Sequence, residues 1–237
     1  MAEKENWCAR TELLLGKEGI ERLSAARVAV FGVGGVGGYV VEALARAGIG
    51  ALDLFDNDTV SETNLNRQII ALRSTVGQYK TDVAAARVKD INPDIRVETA
   101  RLFYLPENAD AVDLSVYDYV VDAIDTVSAK MELIRRTKRL NVPIISSMGT
   151  GNKLDPTCFR VSDIEKTSVC PLARTVRGLC RKEGIRHVKV LWSAEQPRRA
   201  VAEFANGRHA PGSVSFVPAA AGLCIAAEVV KDLLKQK

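Results

Sequence analysis

The sequence has no Cys-x-x-Cys pair, only two histidines, 5% aromatic residues and no apolar run of membrane-spanning length. Its five cysteines, Cys8, Cys158, Cys170, Cys180 and Cys224, form an odd, scattered set. Such a set supports neither a disulfide framework nor a zinc knuckle, so no zinc is expected and a reducing cytoplasm is the expected compartment. His187 and His209 are too isolated to propose as metal ligands or acid–base groups. Glu3, Lys4, Glu5 and Arg10 interrupt the N-terminal stretch, which lacks the apolar core of a signal peptide. The longest late uncharged segment, Ala210 to Ala227, holds Pro211, Gly212, Pro218 and Gly222. It falls short of the roughly 20 apolar residues a spanning helix needs and reads as buried core, so an integral membrane protein is not expected. No internal repeat or low-complexity tract is present.

What remains is an ordinary globular chain. Its 237 residues exceed the roughly 150 of a typical domain, enough to bury about 70% of the extended-chain surface without a staple. A composition of 47% hydrophobic and 26% charged residues excludes extended disorder and fibrous repeats. The formal net charge is a mild +4, but Lys166 to Arg208 carries ten Lys and Arg against three Glu. That local +7 leaves −3 for the rest, an asymmetry that marks a candidate polyanion-facing surface.

Along the chain, Arg27 to Val33 is a short apolar run that breaks into glycines, and Val36, Val40, Leu44 and Ala47 then recur at helical spacing. Gly48 ends that helix, and Leu52 to Phe55 reads as a second buried strand with Asp56 at its carboxyl end. Gln78 to Asn92 reads as a helix stopped by Pro93, Ile95 to Ala100 as a third strand and Tyr117 to Ile124 as a fourth. Ser128 to Asn141 and Val142 to Ser146 follow as helix and fifth strand. This alternation predicts an α/β, doubly wound, mostly parallel, Rossmann-like sheet. After Gly149-Thr150-Gly151 the segments shorten: an amphipathic helix from Pro171, an alternating run from His187 to Trp192, a loop from Arg198 to Pro211, a strand from Val214 to Val217 and a closing helix from Ala219 to Leu234. This part is expected to add a C-terminal antiparallel extension.

Gly32-Val33-Gly34-Gly35-Val36-Gly37 stands between strand and helix. There glycine lets the backbone approach phosphate, and the helix N-terminus supplies amide donors. A lone G-x-G-x-x-G says little, but with Asp56 nineteen residues beyond Gly37, placed to accept from ribose hydroxyls, the reading is nucleotide binding, with a glycine-rich packing turn as the alternative. A nicotinamide dehydrogenase and an ATP enzyme fit equally up to this point. Attack on a phosphoryl group needs cations around a phosphate chain and usually a carboxylate-bound magnesium ion. The run Thr63-Asn64-Leu65-Asn66-Arg67-Gln68, then Lys80, then Asp125 at the end of the fourth strand supplies that set. Singly each has a plainer reading: Arg67 or Lys80 as a solvated cation, Asp125 as a helix cap.

In order, Arg10, Gly32-x-Gly34-Gly35-x-Gly37, Asp56-Asn57-Asp58-Thr59-Val60, Asn64-x-Asn66-Arg67-Gln68, Val76-Gly77-x-x-Lys80 and Asp122-Ala123-Ile124-Asp125 resemble the ThiF/MoeB/HesA-type adenylating enzymes related to ubiquitin-activating enzymes. Arg10 to Gly16, Asp163-Ile164-x-Lys166-Thr167, Pro171-Leu172-Ala173 and Gly212 to Pro218 resemble the branch that acts on threonylcarbamoyladenosine in tRNA. The resemblance runs from about Arg10 to Leu234. It implies that Gly35, Asp56, Asn64, Arg67 and Lys80 hold ATP, that Asp125 helps hold Mg²⁺, and that Arg10 reaches as a finger into the other subunit of a homodimer. Without the resemblance, Arg10 reads as a surface arginine. The implied activity is ATP-dependent dehydration of the tRNA nucleoside to its cyclic form through its threonyl carboxylate. The competing activity is adenylation of the C-terminal glycine of a ubiquitin-like sulfur carrier, and a non-catalytic nucleotide-binding or redox module is the third. A monovalent cation and a sulfur-relay or cysteine desulfurase partner are left open.

Sulfur-carrier relatives commonly hold two C-x-x-C zinc pairs, absent here. Cys170, before Pro171 at a helix start, is the one cysteine considered as a thioester-forming nucleophile, although the branch pattern has Asp at that place. The other four cysteines read as small buried hydrophobes. Arg174, Arg177 and Arg181 fall opposite Leu172, Val176 and Leu179 and form a basic stripe, read either as a solvated face or as a platform for the tRNA backbone. The expected organisation is a helical arm and dimer contact at 1–23, an ATP-binding part at 24–150 and a substrate- and tRNA-facing part at 151–237.

Overall fold

The computed structural model describes residues 6–198 and 211–235. Helix α1 (Ala9–Ala25) leads into β1 (Arg27–Phe31), α2 (Gly37–Ala47) and β2 (Ala51–Phe55), then α3 (Lys80–Ile91) and β3 (Arg96–Ala100). The chain continues through β4 (Tyr119–Asp122), α4 (Val127–Leu140), β5 (Ile144–Ser147), β6 (Phe159–Asp163), α5 (Pro171–Lys182), β7 (Lys189–Ser193) and α6 (Phe216–Lys235). One sheet of seven strands runs in the order β3-β2-β1-β4-β5-β7-β6. Every neighbouring pair is parallel except β6 with β7. The expected doubly wound sheet with an antiparallel extension is this arrangement.

The central strands are apolar on both faces because helices cover both sides. Val28, Val30, Leu52 and Leu54 point into one core with Val40, Leu44, Ala84, Val88, Ile225 and Val229. Ala29, Phe31 and Phe55 point into the other with Leu133, Ile134, Ala173 and Val176. Strand periodicity of two thus divides consecutive residues between two helical layers, α1, α2, α3 and α6 against α4 and α5. Among the described residues no helix is long and apolar enough to cross a membrane.

Two expectations change. Val214 to Val217 is not a strand: Phe216 opens α6. The β-branched and aromatic run imitates a strand, but Val217, Ala221, Ile225 and Val229 bury one helical face. Pro218 lies in the first helical turn, where its missing N–H costs nothing. Strand β6, which has no strong alternation and is only half buried, was not foreseen. Most of the expected Arg198–Pro211 loop, with Arg199, Arg208 and His209, lies outside the described residues.

Candidate functional site

A cleft of about 370 Å³ opens along the carboxyl edge of the sheet, where α/β sheets place ligands. Its floor is the turn between β1 and α2. Gly32 there has φ +87°, and a Cβ on it would come within 2.7 Å of the Ala123 carbonyl oxygen. A Cβ on Gly37 would fall 1.7 Å from the Gly32 carbonyl oxygen. Gly32, Gly34 and Gly35 line the cleft and Gly37 does not. The last glycine therefore closes the turn behind the lining residues.

Asp56, directly after β2, ties this turn to its neighbour. One carboxylate oxygen accepts from the Val33 N–H at 2.7 Å and the other from the Asp58 N–H at 2.8 Å. Lys80 is the first residue of α3 and is buried. Its ammonium meets the Asp58 carboxylate at 2.6 Å, with Asp58 largely exposed. Asn64 ends a short 3₁₀ turn, buried, its side-chain oxygen accepting from the Ser61 N–H at 3.1 Å. Arg67 donates to the Thr63 carbonyl at 2.8 Å and the Asn66 side-chain oxygen at 2.9 Å. The buried Gln68 oxygen has no hydrogen-bond partner among the described residues. Phe31 and Phe55 stack at 4.4 Å, and Tyr104 meets Phe31 edge-on at 5.0 Å, giving the cleft an aromatic wall. Burial pushes the Tyr104 hydroxyl up to about 12, so it stays protonated.

Asp125 lies three residues beyond the end of β4, exposed in the cleft. Among the described residues its carboxylate accepts from the Thr126 hydroxyl alone, at 3.4 Å. Behind it, Asp122 ends the strand fully buried and pairs with Lys130, also fully buried, at 3.0 Å. Asp122 accepts from the Ile124 N–H at 3.1 Å, while Lys130 also donates to the Ser147 carbonyl at 2.7 Å. A buried pair of this kind stabilises only when every remaining donor and acceptor is met; here it fixes the backbone that presents Asp125. Sequence reasoning missed Lys130, whose signal was a lysine on the first turns of a helix eight residues after a strand-terminal aspartate. It also missed Thr150, Ser213 and Pro218, which line the cleft from a distant part of the chain.

The structure thus gathers Gly32, Gly34, Gly35, Asp56, Asn64, Arg67, Lys80 and Asp125 around one cleft. Arg10 is not among the lining residues and is exposed on α1. The α5 stripe is only partly available. Arg177 donates to the Thr167 carbonyl at 2.7 Å and Arg181 to the Glu165 carboxylate at 2.9 Å, whereas Arg174 is exposed and has no carboxylate partner among the described residues. Of the four cysteines read as buried hydrophobes, Cys180 is buried, Cys8 and Cys158 are only partly so and Cys224 is exposed; Cys170, considered as a nucleophile, is itself buried. No group of three or more His, Cys, Asp or Glu side chains able to hold a metal exists among the described residues.

The ThiF family model matches residues 9–237. The chain is 46% identical to the tRNA threonylcarbamoyladenosine dehydratase of Bacillus subtilis (strain 168), over 96% of this chain and 94% of that protein. Among solved structures, E. coli tRNA N6-threonylcarbamoyladenosine dehydratase, TcdA, in complex with AMP is similar with a TM-score of 0.89 and 34% identity, covering 99% of this chain and 97% of that one. The same E. coli protein in complex with ATP gives a TM-score of 0.86 at 34% identity, with the same coverage.

Proposed function

The chain belongs to the ThiF family, and from that premise we propose that it is an ATP-dependent dehydratase that converts threonylcarbamoyladenosine in tRNA to its cyclic form. The observation that carries this reading is the likeness to a dehydratase of that name over 96% of the chain, which takes in both the nucleotide cleft and the C-terminal part. The threonyl carboxylate attacks the α-phosphorus of ATP, a carboxyl oxygen bonds to phosphorus, and pyrophosphate leaves. A nucleophilic atom of the same side chain then attacks the acyl carbon, loses its proton and expels AMP. The tRNA nucleoside has lost one water, and ATP has become AMP and pyrophosphate. Intramolecular attack at a well-oriented carbonyl reaches effective molarities of about 10⁵ M or more, so an enzyme thiol is not required.

Each cleft residue takes a part. The glycine turn and the start of α2 present N–H groups to phosphate oxygens, and Asp56 accepts from the ribose hydroxyls. Arg67, Lys80 and Asn64 surround the triphosphate and stabilise the charge that develops as pyrophosphate departs. Lys80, held by Asp58, exchanges that partner for phosphate. Mg²⁺ fits the donor set, because this ion commonly takes one or two carboxylates together with substrate phosphates; Asp125 would hold it, and its charge would offset that of the phosphates.

The exposed N-terminal arm, with Trp7 just before α1 and Leu13 and Leu14 on it, supports a second copy as partner, to which Arg10 would reach. Arg174 offers a cation to the tRNA backbone beside the cleft, since the start of α5 packs on Gly149. Five free cysteines suit a reducing compartment. The test is mass spectrometry of nucleosides from threonylcarbamoyladenosine-containing tRNA incubated with the protein. Loss of one water only with ATP, abolished by Asp125→Ala, is the expected result. An unchanged nucleoside, with a competent control enzyme converting the same tRNA, would sink the reading and turn attention to a carrier protein ending in glycine.

A further inference from the structure

One wall of the cleft is held by a lysine that has no counter-charge among the described residues. Lys153 is 4% exposed. Its ammonium donates to two backbone carbonyls, Gly149 at 3.1 Å and Gly151 at 3.3 Å, and pairs with no carboxylate among the described residues. Burying an ammonium without a paired charge is costly, so its contribution here lies in what those two carbonyls hold. Between them stands Thr150, which lines the cleft. The next residue, Asn152, is joined to Gly212 in both directions, its N–H to the Gly212 carbonyl and its side-chain oxygen to the Gly212 N–H, each at 2.7 Å. Ser213 follows, also lining the cleft, and its carbonyl accepts from the Asn66 side chain at 3.1 Å. Asn66 in turn accepts from Arg67 at 2.9 Å. One continuous set of contacts therefore runs from Lys153 through this wall to Arg67.

Strand order tells which part of the ligands this wall meets. Along the carboxyl edge, Asp56 follows β2, the glycine turn follows β1, Asp125 follows β4 and Thr150 follows β5, and these strands are neighbours in that order. With ribose, phosphates and metal assigned to the first three, the fourth place faces the acyl group. We propose that Lys153 is a positioning residue for the tRNA side of the reaction: through the carbonyls of Gly149 and Gly151 it fixes Thr150 and Ser213 as the wall that presents the threonyl side chain to the nucleotide. This rests on the dehydratase reading above.

The test compares wild type with Lys153→Met and Lys153→Ala, by steady-state kinetics in modified tRNA and in ATP and by calorimetric ATP binding. The expected result is a fall of about tenfold or more in kcat/KM for tRNA, the scale a small misplacement of a reacting group produces. The KM and Kd for ATP should stay within about twofold of wild type. Methylammonium should restore the alanine variant, whereas tetramethylammonium, which has no N–H to donate, should not at equal ionic strength. A tRNA kcat/KM within about twofold of wild type, or equal losses toward ATP and tRNA with no recovery by amine, would overturn the proposal. Should neither variant accumulate as folded protein, Lys153→Arg keeps a charge but replaces the compact ammonium with a longer planar fork. A loss selective for tRNA then supports the role, and unchanged kinetics overturn it. If wild type itself leaves the tRNA unaltered, the dehydratase reading fails. If wild type converts it and the variants match wild type, only the role of Lys153 fails.

Discussion

A thiol at a helix start is a good nucleophile only where solvent or a cation can favour the thiolate. Cys170 precedes α5 but is 2% exposed and packs near Gly149, so position alone does not activate it. Cys180 is further from reactivity, since burial and then Glu183 and Glu165 push its thiol up to about 11. Brief alkylation of the folded protein is therefore expected to label exposed Cys224 well before Cys170 or Cys180, as peptide mapping would show. Cys170→Ser should keep dehydration activity within about threefold, because ring closure is intramolecular; loss of activity, or a trapped thioester at Cys170, would reject this account. Residue by residue, the cleft was readable where chemistry demands particular types at short spacing, as in Gly32 to Gly37, Asp56 and Asn64 to Gln68. It was unreadable at Thr150, Lys153 and Ser213, whose wall is closed by contacts between distant positions: Asn152 with Gly212, sixty residues on, and Asn66 with Ser213, 147 residues on. The basic stripe was legible as composition, but not the fact that Thr167 and Glu165 occupy two of its three arginines.

At the scale of elements, local pattern decided most of the fold. Apolar runs ending in glycine or acid marked β1, β2 and β4, and helical spacing marked α2, α3 and α4. Errors arose where tertiary burial overrode propensity, at the strand-like start of α6, and where an edge strand lacked alternation, at β6. The joint between α2 and α3 is electrostatic: buried Glu42 accepts from Arg87 at 2.6 Å and from Arg46 at 2.8 Å. Burial pushes the Glu42 carboxyl up, but the bonds from Arg87 and Arg46 outweigh it and hold it below the usual carboxylate range. A depressed carboxyl contributes stability that is present above the unfolded value of about 4.3 and is lost as pH falls through the lower folded value. Glu42→Gln is thus expected to cost about 1–2 kcal/mol at pH 7. In urea unfolding the gap to wild type should narrow steadily below about pH 4. An equal gap at pH 7 and pH 3 would assign the loss to packing instead of charge.

For the whole molecule, the arm decides whether one chain carries a complete site. Helix α1 breaks at Gly16, where φ is 72°, and beyond the break Leu13 and Leu14 are 89% and 83% exposed. An apolar surface of this kind on a folded chain is a candidate for a contact. Arg10 lies on the same arm and does not line its own cleft. If it reaches phosphates, it must do so in a second copy, and a C₂ pair would then hold two sites, each built from both chains. Arg10→Ala and Asp125→Ala homodimers should each be inactive. In a mixed dimer, the cleft that keeps Asp125 receives Arg10 from its partner, while the other cleft lacks both. Random pairing makes about half the dimers mixed with one working site each, so co-expression should recover about a quarter of wild-type activity. No recovery from a mixed dimer demonstrated by differential tagging would mean that Arg10 does not act across the interface. Recovery near a quarter would mean that the catalytic unit is the pair, with Arg10 of each arm completing the cleft of the other chain.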